Sequence, residues 1–341
     1  MAFLKSSKEI LNITESQKEL KSLIHKKLRE LEFPERPHSL YDPVRYTLSL
    51  GGKRIRPYFA LIGCGLCGGE PENALPAGMA IELLHNFTLL HDDIMDAADK
   101  RRGKDSVFKK WDASTAILSG DAMYAWAFEQ LQYYGNDDSF TKRQYALIMD
   151  IFLESARNVC EGQAYDLEFE EAEMVSMQNY LKMIRGKTAA LISASFKMGG
   201  AVASGNDRQL RNLQEFGTEI GTAFQIQDDL LDVIADPEKF GKKQGGDIIE
   251  GKKTYLSILS LESGNKEETK ILKNVLQKPV SGKEDVDKII DIYTSLGVIE
   301  KTKATIKHHY ENALEHLEVF ESSIYKDDII DYLNKLINRE Y

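Results

Sequence analysis

Two acidic pentads mark where this chain could do chemistry: Asp92-Asp93-Ile94-Met95-Asp96 and Asp228-Asp229-Leu230-Leu231-Asp232. Each closes a long apolar stretch that reads as a helix, and residues four apart on a helix share a face. Asp92 therefore lines up with Asp96, and Asp228 with Asp232. Paired carboxylates one turn apart suit hard divalent cations that take oxygen ligands. Two such pairs predict two walls of a single metal-filled cavity. Three aspartates at a helix C-terminus also oppose the macrodipole, so each pentad wants a compensating cation. One pentad alone reads equally well as a solvated helix end, but two, each followed by basic residues, do not.

The basic residues fall into clusters. Lys53, Arg54 and Arg56 follow Gly51-Gly52, and Lys100-Arg101-Arg102-Gly103-Lys104 follows the first pentad. Lys187-Thr188 opens a helix after Gly186, and Lys242, Lys243, Lys252 and Lys253 lie beyond the second pentad. Arg can grip phosphate with two parallel bonds, and Lys acts as a point charge. Each cluster alone is usually a solvated face. Placed beside two metal-ligand pairs, together they predict a site for more than one diphosphate. His85 stands eight residues before Asp93, nearly on its face, within reach of a second anion. Gln225 lies three residues before Asp228, so its amide can face the same cavity. His308 and His309 read as surface, and the carboxylates at 166–173 as a solvated face.

The elements that must hold these residues are helices. The expected helices run from a cap at Ser16 to about Leu31, then over 40–50 and from Lys53-Arg54-Ile55-Arg56-Pro57 onward, with Pro tolerated in a first turn. Phe33-Pro34-Glu35-Arg36-Pro37, Gly51-Gly52 and Pro71 interrupt them. Further helices are expected at 74–96, 113–134, 139–164, 176–205 and 207–235. The loop-like stretch 236–253 is long enough to be functional, and helices at 254–263, 267–277, 283–321 and 324–337 complete the chain. An all-α helical bundle follows, read as a single domain over 1–341 with residues 1–16 a loose leader.

Composition agrees. The 341 residues are 42% hydrophobic and 29% charged with only 8 Pro, an ordinary globular balance. A net charge of −10 argues against a nucleic-acid binder, whereas local basic clusters still allow an anionic small substrate. The cysteines Cys64, Cys67 and Cys160 form no disulfide framework and fit a reducing compartment. Cys64-x-x-Cys67 has no second pair to complete a zinc site, so both read as small packing residues on an apolar helix. No stretch is apolar enough to span a bilayer, and Met1–Lys8 has no signal-peptide core, so a cytoplasmic protein is expected.

Taken in order, Gly51-Gly52-Lys53-Arg54-Ile55-Arg56-Pro57, Asp92–Asp96, Arg101-Arg102-Gly103-Lys104, Lys187-Thr188 and Phe224-Gln225-Ile226-Gln227-Asp228-Asp229-Leu230-Leu231-Asp232 resemble the all-trans polyprenyl (isoprenyl) diphosphate synthases. The resemblance covers about residues 40–260 at the level of motifs. It implies an isoprenoid-synthase helical bundle around a deep central cavity, a homodimer, and head-to-tail condensation of isopentenyl diphosphate with an allylic diphosphate. It implies Asp92, Asp96 and Asp228 as Mg2+ ligands, with Asp93, Asp229 and Asp232 assisting, around a trio of Mg2+ ions or Mn2+ in their place. Arg101, Lys187 and Lys242 match positions that grip the allylic diphosphate, and Lys53, Arg56, His85 and Arg102 those that hold isopentenyl diphosphate. Thr188 and Gln225 match groups that stabilise the carbocation, Lys252 a lysine of the closing loop, and Arg339 a C-terminal cover. Asp105 and Tyr255-Leu256 depart from the family's usual residues at the edges of the motifs.

Product length should follow cavity depth. Leu84 and Thr88 lie beneath Asp92 on a helical wheel, with Phe87 to one side. The resemblance makes Phe87, five residues before the first Asp, a chain-length stop. Phe87 beside the small Thr88 resembles geranylgeranyl diphosphate synthases of the archaeal pattern, which implies a twenty-carbon product, with farnesyl or longer products as alternatives. A class I terpene cyclase would share the aspartates but not the Lys53/Arg56/His85 cluster, and a non-catalytic subunit of a heteromeric synthase would often lack intact pentads. A di-metal carboxylate bundle would need two helical Glu-x-x-His pairs; only Glu82…His85 qualifies, because Glu35…His38 crosses Pro37.

Overall fold

The computed structural model describes residues 14–234, 244–277 and 282–337, and these are all-α apart from one small hairpin. Contacts divide the chain into two compact units. The first comprises Met1–Ala156, Ala194–Gln214 and Val319–Asp331; the second comprises Arg157–Ser193, Glu215–Glu318 and Tyr332–Tyr341.

In the first unit, helix α1 (Glu15–Arg29) is capped by Thr14 rather than Ser16, the Thr14 hydroxyl accepting from the Gln17 amide at 3.1 Å. Residues 15 and 16 of the expected leader thus belong to a helix with Thr14 as its cap, and 1–13 lie outside the described residues. Helix α2 (His38–Ser49) ends before Gly51 and Gly52, whose φ values of 80° and 132° turn the chain into α3 (Ile55–Leu66). Every residue of α3 from Tyr58 to Leu66 is buried, as expected of a helix that is apolar all round. After a 3₁₀ turn at Pro71–Ala74 comes α4 (Leu75–Met95), which carries the first pentad. Its N-terminus is anchored by Tyr134, whose hydroxyl accepts from Ala77 N at 3.1 Å and donates to Asn73 O at 2.8 Å.

The basic segment after α4 is not a plain loop. Strands β1 (Lys100–Arg101) and β2 (Lys104–Asp105) pair antiparallel, and Arg102 and Gly103 form a tight turn with φ of 54° and 76°. Two left-handed residues are what a two-residue hairpin turn demands. Helices α5 (Val107–Lys110), α6 (Ala113–Asn136) and α7 (Lys142–Glu171) follow. Helix α7 outruns its expected end at 164 because Ala, Leu and Glu continue the helix and no breaker intervenes. The most extensive helix pair of this unit is α4 against α6. Cys64 is buried in α3 and Cys67 is its C-cap; burial pushes both thiols up to about 12, in keeping with packing residues.

The stretch 176–205, expected as one helix, is α8 (Met177–Ile184), a π-helical segment at Arg185–Ala189, and α9 (Ala190–Val202). Helix α10 (Asp207–Ile234) carries the second pentad. In the second unit α10 approaches this run through glycines: a Cβ on Gly221 would lie 2.6 Å from Ala189 Cβ, and one on Gly217 2.5 Å from Ser193 Cα. The expected loop 236–253 contains helix α11 (Gly246–Glu250), bounded by left-handed Gly245 and Gly251. Helices α12 (Tyr255–Ser263), α13 (Lys266–Gln277), α14 (Lys283–Ser295), α15 (Val298–His316) and α16 (Ile324–Ile337) complete the chain. The helix expected over 283–321 is broken at Gly297, where φ is 64°. His309, expected at the surface, lies 2.6 Å from Glu219. Burial alone would raise the Glu219 carboxyl, but the His309 hydrogen bond and charge outweigh it and hold it below its ordinary range. No helix among the described residues is long and apolar enough to cross a membrane.

Candidate active site

The first aspartate cluster sits on the last turn of α4. Asp96 N donates to Asp92 O at 2.8 Å, so the two carboxylates are one turn apart as expected. The helix then closes with Ala97 at φ 47°, while Ala98 N bonds Asp93 O at 2.8 Å and Ala97 N bonds Ile94 O at 3.2 Å. This is a Schellman closure with alanine where glycine is usual. A left-handed alanine costs about 1–2 kcal/mol, strain of a kind that gathers at functional sites. Asp93 turns inward and is buried; it pairs with the Arg101 guanidinium, whose Nε donates to it at 2.9 Å. Burial raises the Asp93 carboxyl, with Arg101 partly offsetting the rise. Asp92 and Asp96 are left as the more exposed pair.

One helical stretch earlier, His85 is ringed by cations. Burial and then the charges of Arg56, Arg102, Arg54 and Arg101 hold its imidazole well below the ordinary range, so it is neutral and offers a hydrogen bond, not a charge. Arg102 donates to Gly51 O and lies across the glycine pair; a Cβ on Gly52 would stand 2.9 Å from its guanidinium carbon. Arg54 is buried in an ion pair with Glu82, and Asn86 donates to Glu82 Oε1 at 3.1 Å. This ion pair removes Glu82 from any metal role and with it the Glu-x-x-His reading. Lys53 is exposed and Arg56 half-buried on the same turn into α3. The structure thus gathers His85, Arg56, Arg101 and Arg102 into one anion-attracting cluster. The Phe87 ring stacks on Tyr124 of α6 at 5.2 Å and meets His91 edge-on at 4.6 Å. Leu84 is buried, and the Thr88 hydroxyl donates back to His85 O at 2.8 Å.

In the second unit, Asp228 is exposed, Asp229 buried and Asp232 half-buried. Asp232 caps α11, accepting from Gly246 N at 3.1 Å and Asp247 N at 2.9 Å. Asp229 accepts from the Tyr180 hydroxyl at 2.6 Å, from Tyr255 N at 2.9 Å and from Gln225 Nε2 at 3.2 Å. Burial nevertheless pushes its carboxyl up to about 6, and Asp228 adds to the rise. Asp247 is pushed up to about 7 by burial and by the charges of Asp232 and Asp229. Lys252 lies 2.7 Å from Glu250 and 3.6 Å from Asp247.

Lys187 and Thr188 do not open a helix, as expected, but ride the π-helical segment, a distortion common at functional sites. Gly162 of α7 presses on it: a Cβ there would fall onto Lys187 N and lie 2.6 Å from the Gly186 carbonyl carbon. Lys187 Nζ pairs with Asp166 at 2.5 Å, which corrects the reading of 166–173 as wholly solvated. The Thr188 hydroxyl donates to Gln225 Oε1 at 2.8 Å. Sequence reasoning missed Gly162, Asp166, Tyr180 and Asp247. Only Asp166 and Asp247 carried a signal, as acids near basic motifs. Lys242 and Arg339 lie outside the described residues.

Among the described residues no group of three or more His, Cys, Asp or Glu side chains is gathered into a ready-made metal cage. The donors do fit a hard cation: Asp92, Asp96, Asp228 and Asp232 supply carboxylate oxygen without nitrogen or sulfur. Burial first, and then the neighbouring carboxylates, push Asp229 and Asp247 up, and a cation would relieve the part due to the carboxylates.

The polyprenyl synthetase family profile matches residues 37–293. The chain is 36% identical over 334 residues to a short chain isoprenyl diphosphate synthase of Methanothermobacter thermautotrophicus, covering 98% of this chain and 99% of that one. It is 33% identical to a geranylgeranyl diphosphate synthase of Methanosarcina mazei, covering 97% and 99%. The crystal structure of geranylgeranyl pyrophosphate synthetase from Pyrococcus horikoshii superposes with a TM-score of 0.88 at 36% identity, covering 95% of this chain and 97% of that one. The chain belongs to the polyprenyl synthetase family and is a prenyltransferase.

Proposed function

We propose that this prenyltransferase condenses isopentenyl diphosphate with an allylic diphosphate to give a short all-trans product, geranylgeranyl diphosphate. Both aspartate clusters, the Lys187-Thr188 segment and the arginine-ringed His85 stand intact in a chain similar over nearly its whole length to enzymes named for such products. That combination carries the reading. The family profile takes in residues of both compact units, which supports treating 1–341 as one polyprenyl synthase domain.

Asp92, Asp96, Asp228 and Asp232 would hold Mg2+, three ions in the family's manner or Mn2+ in their place. The bound metal supplies Lewis acidity and charge to the diphosphate leaving group. Arg101 and Lys187 add fixed positive charge where negative charge develops. The oxygens of Thr188 and Gln225 offer partial negative charge to the allylic cation. Lys53, Arg56 and Arg102 hold isopentenyl diphosphate, with neutral His85 donating a hydrogen bond. Lys252 belongs to the segment that closes over the substrates. Apolar Leu84, Phe87 and the methyl of Thr88 line the path of the growing chain and exclude water, which would trap the cation. Phe87, braced by Tyr124, limits its length.

The low, odd cysteine count supports a reducing, cytoplasmic setting, and the resemblance supports a homodimer with no nucleic-acid partner. The test is turnover of the purified protein with Mg2+, isopentenyl diphosphate and dimethylallyl, geranyl or farnesyl diphosphate, products being sorted by carbon number. Twenty carbons are expected. Cyclised hydrocarbon from a single substrate would make it a terpene cyclase, and no turnover by the homomer a partner-dependent subunit. Asp92→Asn and Asp228→Asn should each abolish Mg2+-dependent elongation; full activity in both would overturn the reading.

A further inference from the structure

We infer that Tyr180 is a positioning residue: through Asp229 it sets the orientation of the Gln225 amide, and so the face that Gln225 and Thr188 present to the reacting carbon. The inference rests on the function proposed above and adds a residue to it.

Lone pairs dictate how this chain of contacts must run. An ionised carboxylate only accepts hydrogen bonds, and an amide has one accepting end and one donating end. Asp229 is buried, as is Tyr180, and neither can turn to water for a partner. The Tyr180 hydroxyl at 2.6 Å and Tyr255 N at 2.9 Å both donate to Asp229 Oδ2. Oδ1 is thereby aimed at Gln225, and it accepts Nε2 at 3.2 Å. Since Asp229 accepts only, the amide must present nitrogen to it, and Oε1 is forced to the opposite side. There Oε1 accepts the Thr188 hydroxyl proton at 2.8 Å. With its proton spent on Gln225, the Thr188 oxygen turns its lone pairs outward. Two oxygens of partial negative charge are thus fixed in place before any substrate arrives, the condition under which polar groups stabilise developing positive charge without reorganising.

Without the Tyr180 hydroxyl, Asp229 loses its shortest bond, and Oδ2 is held by Tyr255 N alone. Gln225 can then flip, placing a positive NH2 where oxygen is needed. Tyr180 is buried with its hydroxyl spent on Asp229, so its loss should appear in the chemical step and not in binding. Asp229, engaged by three donors, acts here as a strut rather than a metal ligand.

The experiment is a double-mutant cycle between Tyr180→Phe and Gln225→Ala, read by single-turnover and steady-state elongation, with Mg2+-induced thermal shift measured on the same proteins. If Tyr180 works through Gln225, Y180F lowers kcat by about tenfold or more, while KM for both diphosphates and the Mg2+ half-saturation stay within about twofold. The double variant should then be no slower than Q225A alone, because residues acting as one unit are not additive. The Mg2+-induced shift in melting temperature should match wild type. Wild-type kcat in Y180F, or losses that multiply in the double variant, would overturn the inference and leave the function standing; an inactive wild-type protein overturns both. If Y180F does not fold, Asp229→Asn replaces it in the cycle. Non-additivity with Q225A and an unchanged Mg2+ half-saturation support the strut, and additivity with a raised Mg2+ requirement refutes it.

Discussion

Gly162→Ala is the sharpest test of how the fold holds its lysine. The added Cβ would fall onto Lys187 N and stand 2.6 Å from the Gly186 carbonyl carbon and 2.8 Å from Lys187 Cα. Ordinary contacts of this kind lie at about 3.5–4 Å, so α7 and the π-helical segment must part by roughly 1 Å. Overpacking of that size costs about 1–3 kcal/mol, well within what a folded domain survives. For catalysis the same displacement matters more, because misplacing a reacting group by about 1 Å costs about a hundredfold. G162A should therefore remain folded by circular dichroism, melt a few degrees lower, and elongate about a hundredfold more slowly. Gly186→Ala supplies an internal scale. Its Cβ would meet Asn158 O at 2.8 Å and Gly162 Cα at 3.0 Å, a milder conflict, so its loss should be smaller. A folded G162A with wild-type kcat, or one less affected than G186A, would refute the idea that this close approach seats Lys187.

Three further outcomes follow from the geometry. Phe87→Ala removes the ring braced by Tyr124 and should shift products beyond twenty carbons by chromatography; an unchanged distribution would count against Phe87 as the stop. Glu82→Gln leaves Arg54 buried without its counter-charge, and denaturant unfolding should show a loss of about 3–5 kcal/mol. Burial and the charges of Asp232 and Asp229 push Asp247 up to about 7 in the folded chain against 3.8 for an ordinary Asp, so the fold binds its proton more tightly than the unfolded chain. The stability this brings is complete below about pH 4 and is lost as pH rises through 7. In chelator, Asp247→Asn should therefore raise the melting temperature at pH 8, by the equivalent of up to about 4 kcal/mol, and leave it nearly unchanged at pH 4; equal effects at both pH values would refute the assignment.

The all-helical class was legible from periodicity, and most element boundaries fell within a few residues of their expected places. The misses have local causes. Glycine in the left-handed region broke the expected 283–321 helix at Gly297, and the pair Arg102-Gly103 folded a basic loop into a hairpin. The π-helical segment left no mark on hydrophobic spacing; it lies where Gly162 of another helix comes close, a contact that spacing along one helix does not encode.

For the site, the sequence alone determined which residues carry charge and which share a helical face: Asp92 with Asp96, Asp228 with Asp232, and Gln225 near the second cluster. Those relations are local, set by a repeat of about 3.6 residues per turn. Tertiary structure decided the division of labour. It turned Asp93 toward Arg101 and Asp229 toward Tyr180, spent Glu82 on Arg54, and tied Lys187 to Asp166 across 21 residues of chain. Two adjacent aspartates are indistinguishable in a sequence. They differ in the fold because one helical step of about 100° sends one toward solvent and the other into a buried set of donors, and which donors wait there depends on helices packed from distant parts of the chain.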